Sequence, residues 1–418
     1  MFKPQLQIRD PIHGVIFINQ AERAVIDSRA FQRLRNIKQV GFLDFAFPAA
    51  SHSRYCHSLG AMSFASKIFQ RVVSVDQVKE PNWSMMHQAV RLAALLHDIG
   101  HPPLSHTTEM ILPSHEGKAQ THEDYTRRLI LDSELASIIE RHFAELGVTP
   151  SMIASLLHHE ESHDFFTLQG LNYAPILRQI ISSEIDCDRM DYLLRDSLFC
   201  GVNYGKFDND WLIENLVGIE KGNQVFLGFK ARALFAFEDF LLSRYHMFAS
   251  VYLHHTPIIM EKMLERFFHE CPQSFSLPHD VEKYIEINDI DLWWSLRGST
   301  NPWAERIVMR KPFVMIYEHI SRVIDDGNID QEYENIINTC KRSGIELIST
   351  QSKSVLSKYY NTTKCPLYVE DTYHRAILLE EFSSLFIKYQ APTKLYRIYV
   401  APEQKAKAHE LMQMRVGR

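Results

Sequence analysis

Cysteine is scarce in this chain of 418 residues: it has six, and none of them stands in a Cys-x-x-Cys spacing. This pattern favours reduced thiols and argues against a disulfide framework or a thiolate zinc site. The sequence also lacks a signal-peptide apolar core and any apolar run near the ~20 residues that span a bilayer. We therefore expect a cytoplasmic protein that does not associate with membranes.

The chain has no excess of basic residues, since 45 Lys and Arg stand against 51 Asp and Glu, for a net charge of -6. That balance argues against bulk nucleic-acid binding. Internal repeats and low-complexity tracts are also missing. The length allows two or three domains. Histidine is the exception, because there are 21 histidines and they cluster between His52 and His163.

The spacing of apolar residues predicts a mainly α fold. A short β-hairpin is expected over residues 6–19, with its turn at Asp10-Pro11-Ile12-His13-Gly14. From residue 22 to about residue 268 the patterning is helical. The predicted helices are residues 31–40 with Asp27 as N-cap, 58–73, 121–146 as one long helix, one that starts at Thr149-Pro150, 174–198 and 233–268.

The composition changes after Cys271-Pro272. Turn formers occupy residues 273–279, and residues 280–414 mix short helices with strand-like runs such as 394–400. We predict a helical core with its N-terminal hairpin over residues 1–271. Residues 272–418 are predicted as a smaller mixed α+β region that serves oligomerisation or regulation.

His97 and Asp98 end the apolar run of residues 89–96. An imidazole and a carboxylate at the edge of a core are costly unless both find partners, and a divalent metal is such a partner. With His57 near the start of one helix and Asp188 in another, three helices could build a mixed N/O site. The ligand types favour Mn, Mg, Fe, Zn or Co over a structural zinc. A lone histidine would more often be a satisfied core residue, but two adjacent polar groups both need partners.

Three more histidines, His101, His106 and His122, lie near this pair in the sequence. Gly100 and the prolines after His101 end the helix, so a loop is expected beside the metal. Clustered imidazoles suit proton transfer and anion binding near neutral pH. The alternative is that His101 and His122 only cap helices.

Asp188, Tyr192 and Asp196 are spaced four residues apart, so they form one stripe along a helix. Asp188 could hold metal while Tyr192 and Asp196 face a ligand. Their neighbours Asp186, Asp191 and Arg195 lie on other faces, where we expect a solvated surface. We interpret His158-His159-Glu160-Glu161 as a polar helix end rather than a second metal site.

Five motifs together resemble the HD-domain deoxynucleoside triphosphate triphosphohydrolases, including the animal enzymes with a sterile-alpha-motif domain and their bacterial homologues. The motifs are residues 10–14, 31–39, 47–60, 97–106 and 185–192. The resemblance extends from about residue 6 to residue 260. It implies an all-helical HD core that holds one or two divalent metals. It also implies cleavage of a dNTP to deoxynucleoside and inorganic triphosphate, by attack of a metal-bound hydroxide at the α-phosphorus.

The resemblance also implies roles for individual residues. The implied metal ligands are His57, His97, Asp98 and Asp188. The implied catalytic group, for proton transfer and phosphate contact, is His101, His106 and His122, with His106 protonating the leaving 5′-oxygen. The implied substrate-binding residues are Arg54, Arg189 and Arg244 on the triphosphate, Gln39, Tyr192 and Asp196 on the sugar, and Tyr252 near sugar or base. Tyr192 would exclude a ribose 2′-hydroxyl.

The sequence departs from the family pattern in three places. We expect no sterile-alpha-motif domain, and Leu6 stands where the animal enzymes have a basic allosteric residue. Asp27, Gln32 and Arg35 nevertheless match positions that read guanine, so a GTP or dNTP activator is an open alternative. Leu253 replaces a polar residue beside Tyr252. The resemblance further implies a homo-oligomer, a dimer or a tetramer.

Two other functions stay open. The first is a phosphohydrolase acting on a nucleoside monophosphate, a cyclic nucleotide or a dinucleotide. The second is a nucleotide-gated regulatory protein without catalysis.

Overall fold

The computed structural model describes residues 5–115, 117–158, 164–321, 327–354, 366–386 and 393–416. The helices of the first part are α1 (Gln20–Ile26), α2 (Arg29–Gln32), α3 (Arg54–Val72), α4 (Asn82–Leu96), α5 (His122–Asp132), α6 (Glu134–Phe143), α7 (Pro150–Leu157), α8 (Ala174–Ile181), α9 (Cys187–Cys200), α10 (Asn209–Glu214), α11 (Leu234–Met247) and α12 (His255–Glu270). Those that follow are α13 (Val281–Tyr284), α14 (Asp289–Gly298), α15 (Pro302–Val308), α16 (Gly327–Arg342), α17 (Leu379–Phe382) and α18 (Lys405–Val416).

The strands are β1 (Leu6–Asp10), β2 (Gly14–Ile18), β3 (Thr167–Leu168), β4 (Leu171–Asn172), β5 (Leu216–Lys221), β6 (Gln224–Lys230), β7 (Val314–Ser321), β8 (Leu347–Ser354), β9 (Tyr368–Glu370), β10 (Ala376–Leu378) and β11 (Thr393–Val400). The predicted fold class is therefore confirmed: a mainly helical core carries an N-terminal hairpin, and mixed α+β structure follows it. None of the helices in the described ranges is long and apolar enough to cross a membrane.

The N-terminal hairpin is antiparallel, with Leu6 opposite Ile18 and Asp10 opposite Gly14. Its turn needs Gly14, whose φ of 68° lies in the left-handed region that side chains disfavour. Ile16 and Ile18 alternate toward the core and are buried. The hairpin thereby packs its inner face against α3.

Helices α3, α4 and α9 form the centre of the fold. In α4 every residue from Trp83 to Leu96 is buried, so this helix has no solvent face. Its polar residues have partners inside the core, since Gln88 and Arg91 both donate to Glu22. Helix α3 packs against both α4 and α9. The first turn of α3, the last residues of α4 and the first turn of α9 come together in this arrangement, and all three carry predicted metal ligands.

Several predicted helix boundaries are wrong. The helix expected over residues 31–40 with Asp27 as N-cap is α2 followed by a 3₁₀ turn (Arg33–Asn36), and Ser28 is the cap. The chain leaves the helix after Asn36 because Ile37 is extended and Asp289 accepts a hydrogen bond from the Lys38 amide (2.9 Å). A distant side chain thus overrides the local helical pattern.

The three longest predicted helices are each interrupted. Residues 121–146 contain α5 and α6, separated at Ser133, which caps α6 by accepting from the Leu135 amide. Residues 174–198 contain α8 and α9, with Asp186 capping α9. Residues 233–268 contain α11, a π-helical turn (Phe248–Tyr252) and α12. In the first two cases a Ser or Asp side chain competes for backbone amides and starts a new helix.

A further error lies at residues 216–230, which fall in the region predicted to be helical. They form the antiparallel pair β5–β6, in which Lys221 lies opposite Gln224. Gly222, with a φ of 62°, allows the tight turn between them. The Gly-Asn turn between two alternating runs was the signal that could have identified this hairpin.

After residue 272 the chain builds a sheet of order β7-β11-β8 against α16 and α18. It also returns to the first part, because β9 pairs in parallel with β6. The main apolar core includes Val281, Tyr284, Val369 and Leu379 together with α3 and α4. Packing therefore continues across residue 272, and the division of the chain there stays a prediction.

Gly100 lets the chain pass close to α5, directly beside the predicted site. A Cβ at this position would lie 2.2 Å from the carbonyl oxygen of His122 and 2.3 Å from the amide nitrogen of Thr126. Both atoms belong to the backbone, which cannot move aside like a flexible side chain. We expect Gly100→Ala to lower the free energy of unfolding by about 1–3 kcal/mol through overpacking.

Chemical denaturation would measure this change. Gly298→Ala is the matched control, because a Cβ there meets nothing within 4 Å, and it should leave the midpoint nearly unchanged. Equal midpoints for the two variants would contradict the close approach at Gly100.

Candidate functional site

His57, His97 and Asp188 converge from three helices. His57 lies in the first turn of α3, His97 caps the end of α4, and Asp188 lies in the first turn of α9. The Asp188 Oδ1 atom lies 3.0 Å from His57 Nε2 and 3.5 Å from His97 Nε2. One ligand atom from each residue lies within 4.8 Å of the others, a spacing that could hold a metal ion. The structure thus brings together three of the four predicted ligands as one group.

Asp98, the fourth predicted ligand, lies at the edge of this group. Its two oxygens lie 3.5 Å from His57 Nε2 and 3.4 Å from His97 Nε2. The same carboxylate accepts a short hydrogen bond from Arg54 and lies 3.2 Å from Nδ1 of His101. Asp98 therefore contacts the metal-ligand group on one side and the second histidine cluster on the other.

The negative charges around the group favour a bound cation. Nε2 of His57 and Nε2 of His97 are buried and have no hydrogen-bond partner among the residues that the structure describes. Burial alone would lower the pKa of His57, but the carboxylates of Asp188 and Asp191 raise it to about 10. The pocket thus attracts positive charge, and two nitrogen atoms with two carboxylates match a divalent transition metal or a harder ion.

His101, His106 and His122 form a second cluster. The ring centroids of His101 and His122 are 3.8 Å apart, and the His106 ring lies 4.8 Å and 5.1 Å from these two. Thr121 is the N-cap of α5, so the alternative that His122 caps this helix is wrong. Burial, together with the positive charge of Arg54, holds the pKa of His101 well below its ordinary value.

Glu109, which the sequence analysis did not single out, holds two of these histidines. One of its oxygens accepts from the backbone amide of His122 at 3.0 Å and forms a short hydrogen bond with Nδ1 of the same ring. The other lies 3.3 Å from Nδ1 of His106. Although partial burial would raise the pKa of Glu109, its histidine contacts lower it strongly, so Glu109 is a carboxylate at neutral pH. The spacing His106–Glu109 was a usable signal, since it places a carboxylate three residues after an imidazole.

The loop between the two clusters has an unusual backbone. Leu104 and Ser105 have φ values of 56° and 60°, in the left-handed region. The buried carboxylate of Asp289, at the start of α14, accepts hydrogen bonds from the amides of Leu104 (2.7 Å) and Lys38 (2.9 Å). Tyr284 donates to the carbonyl oxygen of Gly100 at 2.7 Å. Residues beyond 272 thus hold the loop that carries the histidines.

The three predicted phosphate-binding arginines are buried and paired with carboxylates. Arg54 pairs with Asp98 and donates to the Ser105 hydroxyl at 2.7 Å. Arg189 pairs with Asp186 at 3.0 Å, and Arg244 with Glu184 at 2.8 Å. These carboxylates fix the guanidinium groups in place while neutralising part of their charge.

The predicted sugar-contacting residues line the same cavity as these arginines. Asp196 accepts from the Tyr252 hydroxyl at 2.7 Å and from His52 Nε2 at 2.6 Å. The Tyr192 ring lies 6.5 Å from the His57 ring and 6.2 Å from the Tyr252 ring. Gln39 is buried, and its Oε1 atom has no hydrogen-bond partner in the described part of the chain.

One cavity of about 530 Å³ joins these features, a size that suits a small-molecule ligand. His57 lies fully buried behind its wall. The other predicted metal, catalytic and substrate-binding residues line the cavity: Gln39, Arg54, His97, Asp98, His101, His106, His122, Asp188, Arg189, Tyr192, Asp196, Arg244 and Tyr252.

The predicted activator residues Asp27, Gln32 and Arg35 lie outside this cavity. Arg35 is exposed, lies 3.7 Å above the ring of the buried Tyr55 and donates to Gln32 Oε1 at 2.7 Å. His158 is the C-cap of α7. The rest of the polar segment, residues 159–161, lies outside the described residues.

The expectation that Asp186, Asp191 and Arg195 face solvent is wrong, because all three are buried. Arg195 donates to both oxygens of Asp191 at 2.8 Å and 2.9 Å, so the two charges compensate each other inside the core. The remaining acceptor capacity of Asp191 goes to His57 and His13. Asp191, which lies beside the stripe of ligand positions on α9, therefore supports the predicted ligand His57 through a hydrogen bond.

Comparison with known proteins agrees with this geometry. The family model "HD domain" matches residues 54–196, and "HD associated region" matches residues 207–343, across residue 272. The crystal structure of a hypothetical protein from Aquifex aeolicus superposes with a TM-score of 0.78 at 30% identity, over 97% of this chain and 99% of that one. The chain belongs to the HD-domain family.

Two curated relatives of this HD-domain protein illustrate the range of the family. An uncharacterized protein of Methanocaldococcus jannaschii is 35% identical over 303 residues, 72% of this chain and 57% of that protein. The deoxynucleoside triphosphate triphosphohydrolase SAMHD1 homolog of Dictyostelium discoideum is 28% identical over 306 residues, 72% of this chain and 56% of that protein. The chain thus spans little more than half the length of these relatives. It is an HD-domain protein that has a deoxynucleoside triphosphate triphosphohydrolase homolog among its distant relatives.

The contact between Glu109 and His106 leads to a pH prediction. About two thirds of the His106 side chain is open to the cavity, yet desolvation by the walls lowers the pKa of His106 and Glu109 opposes this shift. Glu109→Gln removes the opposing charge, so the pKa of His106 should fall further. If His106 acts as the acid, it loses its proton at a lower pH in this variant. The alkaline limb of the kcat profile therefore moves to lower pH.

Hydrolysis rates measured between about pH 5 and pH 9 would show this movement. Glu140→Gln, at an exposed position of α6, serves as the control and should leave the profile unchanged. A Glu109→Gln profile with an unmoved alkaline limb would refute the proton-donor role of the Glu109–His106 pair.

Proposed function

We propose that this protein hydrolyses deoxynucleoside triphosphates to deoxynucleoside and inorganic triphosphate. The observation that carries the proposal is the group of His57, His97 and Asp188 beside the histidine cluster, at a cavity that His97, Asp188 and the three histidines line. The likeness to the Dictyostelium protein supports the substrate class. The same group of ligands argues against a purely regulatory protein, because nothing in simple nucleotide binding requires buried imidazoles with unused Nε2 atoms.

His57, His97 and Asp188 would hold a divalent metal, with Asp98 at its edge. Such an ion lowers the pKa of water and offsets the negative charge that develops on phosphoryl oxygens. Mn, Mg, Fe, Zn and Co all fit the ligand types. The site has no thiolate among these residues, which separates it from structural zinc sites.

The reaction breaks the bond between the α-phosphorus and the 5′-oxygen and forms a bond from the α-phosphorus to a water oxygen. The leaving 5′-oxygen needs a proton, and we assign this role to His106 because its ring is exposed and Glu109 supports its protonated form. The buried neighbour His101 has a strongly lowered pKa. Because its Nδ1 atom faces acceptor oxygens of Asp98, the Nε2 atom of the neutral ring carries a lone pair, and we assign His101 to the proton-transfer group as an acceptor.

Arg54, Arg189 and Arg244 would contact the triphosphate with their guanidinium groups, whose planar fork suits phosphate oxygens. Gln39 offers a free acceptor to a sugar hydroxyl, and Asp196 offers further lone pairs beside Tyr252. Tyr192 lies between the metal ligands and Tyr252, where its ring would meet the 2′ position of a ribose.

One observation favours the alternative substrates. Each of the three arginines is already paired with a carboxylate, so the cavity carries less net positive charge than three free arginines would supply. A nucleoside monophosphate, a cyclic nucleotide or a dinucleotide needs less compensation than a triphosphate. The products of the reaction separate these substrates.

Three further parts of the proposal concern assembly, activation and location. We propose a homo-oligomer, a dimer or a tetramer, and a cytoplasmic location. A GTP or dNTP activator would bind near Asp27, Gln32 and Arg35, where Arg35 already stacks on an aromatic ring. Native mass measurements with and without GTP test the assembly and the activation.

The central experiment is product analysis on a panel of dNTPs with Mn²⁺ or Mg²⁺, each with and without GTP. We expect release of triphosphate, and we expect Asp188→Asn to lower the rate by at least about 100-fold because it removes a ligand charge. Asp76→Asn is the control, since Asp76 is almost fully exposed. Release of pyrophosphate or of single phosphates would contradict the proposal and assign the protein to another reaction class.

Discrimination against ribonucleotides depends on the ring of Tyr192 rather than on its hydroxyl. Tyr192→Phe keeps the ring and should keep the preference for deoxynucleotides. Tyr192→Ala should raise the ratio of GTP to dGTP hydrolysis by about 10-fold or more, since a steric barrier of a few atoms is worth about 1–3 kcal/mol. The idea is wrong if Tyr192→Ala keeps the wild-type ratio of kcat/KM values.

A further inference from the structure

A buried carboxylate connects the metal-ligand group to the N-terminal hairpin. Asp191 of α9 accepts a hydrogen bond from His57 Nδ1 on one oxygen, and from His13 Nε2 on the other, each at 2.8 Å. His13 comes from the hairpin turn, 178 residues earlier in the chain. The side chains of His13, His57 and Asp191 are at most 1% exposed, so water does not compete for these bonds.

The contact with Asp191 decides which nitrogen of His57 carries a proton. A carboxylate can only accept, so the Nδ1 atom of His57 must donate. In the neutral ring, Nε2 then carries the lone pair, and Nε2 is the atom that lies 3.0 Å from Asp188 Oδ1. A carboxylate behind a ligating imidazole fixes the ring orientation and raises its basicity.

His13 is itself held in place by the hairpin turn. Asp10 accepts from the backbone amides of Ile12 (2.8 Å) and His13 (3.0 Å) on one oxygen. Its other oxygen accepts from Arg195 Nη1 at 2.9 Å. Because Arg195 also donates to both oxygens of Asp191, the turn and the carboxylate are joined by two independent connections.

Packing around Asp191 leaves little freedom for these side chains. A Cβ on Gly60 of α3 would lie 1.9 Å from Asp191 Oδ1 and 2.5 Å from Arg195 Nη2. The His13 ring also packs edge-on against Phe64, with centroids 4.5 Å apart. Helix α3 therefore packs closely against His13, Asp191 and Arg195. We call the hydrogen-bonded series His13–Asp191–His57 the relay.

We propose that His13 and Asp191 are positioning residues of the metal centre, and that docking of the N-terminal hairpin and metal affinity are coupled through His13, Asp191 and His57. This inference rests on the metal site in the proposed function. It adds that the Asp10–Gly14 turn is part of that site, although no residue of the turn touches the cavity in the described structure.

Direct metal binding tests the relay without any activity assay. Equilibrium dialysis against Mn²⁺ would compare wild type with His13→Leu, which keeps bulk but loses the donor. We expect a loss of about 10–100-fold in Mn²⁺ affinity, the range that such supporting contacts have elsewhere. His13→Gln can place an amide donor near the position of Nε2, and it should restore affinity to within about 3-fold of wild type.

The matched control is His87→Leu. His87 is also buried, hydrogen-bonds Ser66 at 2.8 Å and stacks on Phe69, but it lies outside the relay. It should lower thermal stability while leaving Mn²⁺ affinity unchanged. If His13→Leu loses no more affinity than His87→Leu, the relay is refuted. The same holds if His13→Gln binds Mn²⁺ as weakly as His13→Leu.

A double-mutant cycle separates positioning from general destabilisation. Asp191→Asn with His13→Leu should bind Mn²⁺ about as weakly as Asp191→Asn alone, because both changes break one relay. If the double variant loses Mn²⁺ affinity by the product of the two single fold-changes, the coupling is overturned. Should His13→Leu fail to fold, His13→Asn, whose amide is too short to reach Asp191, replaces it in every comparison. A wild type that binds no Mn²⁺ would overturn the metal site itself, whereas binding with insensitive His13 variants would overturn only the relay.

Discussion

The hydrogen bond between Asp191 and His57 is the interaction on which the site depends. It joins α9 to α3 at a point where both helices are buried, and it fixes the ring that faces Asp188. A buried carboxylate would be costly alone, but Arg195 compensates its charge and two imidazoles complete its hydrogen bonding. The pKa of Asp191 is held well below its ordinary value by Arg195, His13 and His57 against the effect of burial. The metal-ligand geometry thus rests on a buried carboxylate whose charge and hydrogen bonds are compensated inside the core.

The second histidine cluster depends on a different constraint. It lies after Gly100, on a loop with two residues in the left-handed region, and such a backbone persists only where its surroundings hold it. Asp289 and Tyr284 provide this support from beyond residue 272, and Arg33 donates to the carbonyl oxygen of His101 at 2.8 Å. Removing the residues beyond 272 would therefore also remove the hydrogen bonds that hold this loop. This explains in physical terms why the HD-associated model crosses the expected boundary.

The sequence allowed much of the site to be predicted. The apolar run that ends in His97-Asp98, the three following histidines and the stripe of Asp188, Tyr192 and Asp196 all line one cavity or lie directly behind it. Each of these signals is local, because it depends on spacing along one helix or on the end of one apolar run. The roles assigned through the family resemblance remain predictions. Glu109 and Asp289 were missed, since a single acidic residue in a polar stretch does not differ from a surface residue in sequence.

What the sequence alone determined is the set of chemical groups, the mainly helical class and the hairpin at the N-terminus, because these follow from residue types and from periodicity. Only the tertiary structure decided which polar residues are buried. Asp191, Arg195 and His13 read as solvated positions or as part of a turn until α3, α9 and the hairpin are packed together. Compensation of charge in a core depends on partners that are distant in sequence, 178 residues apart for His13 and Asp191. Helical spacing carries no information about such partners.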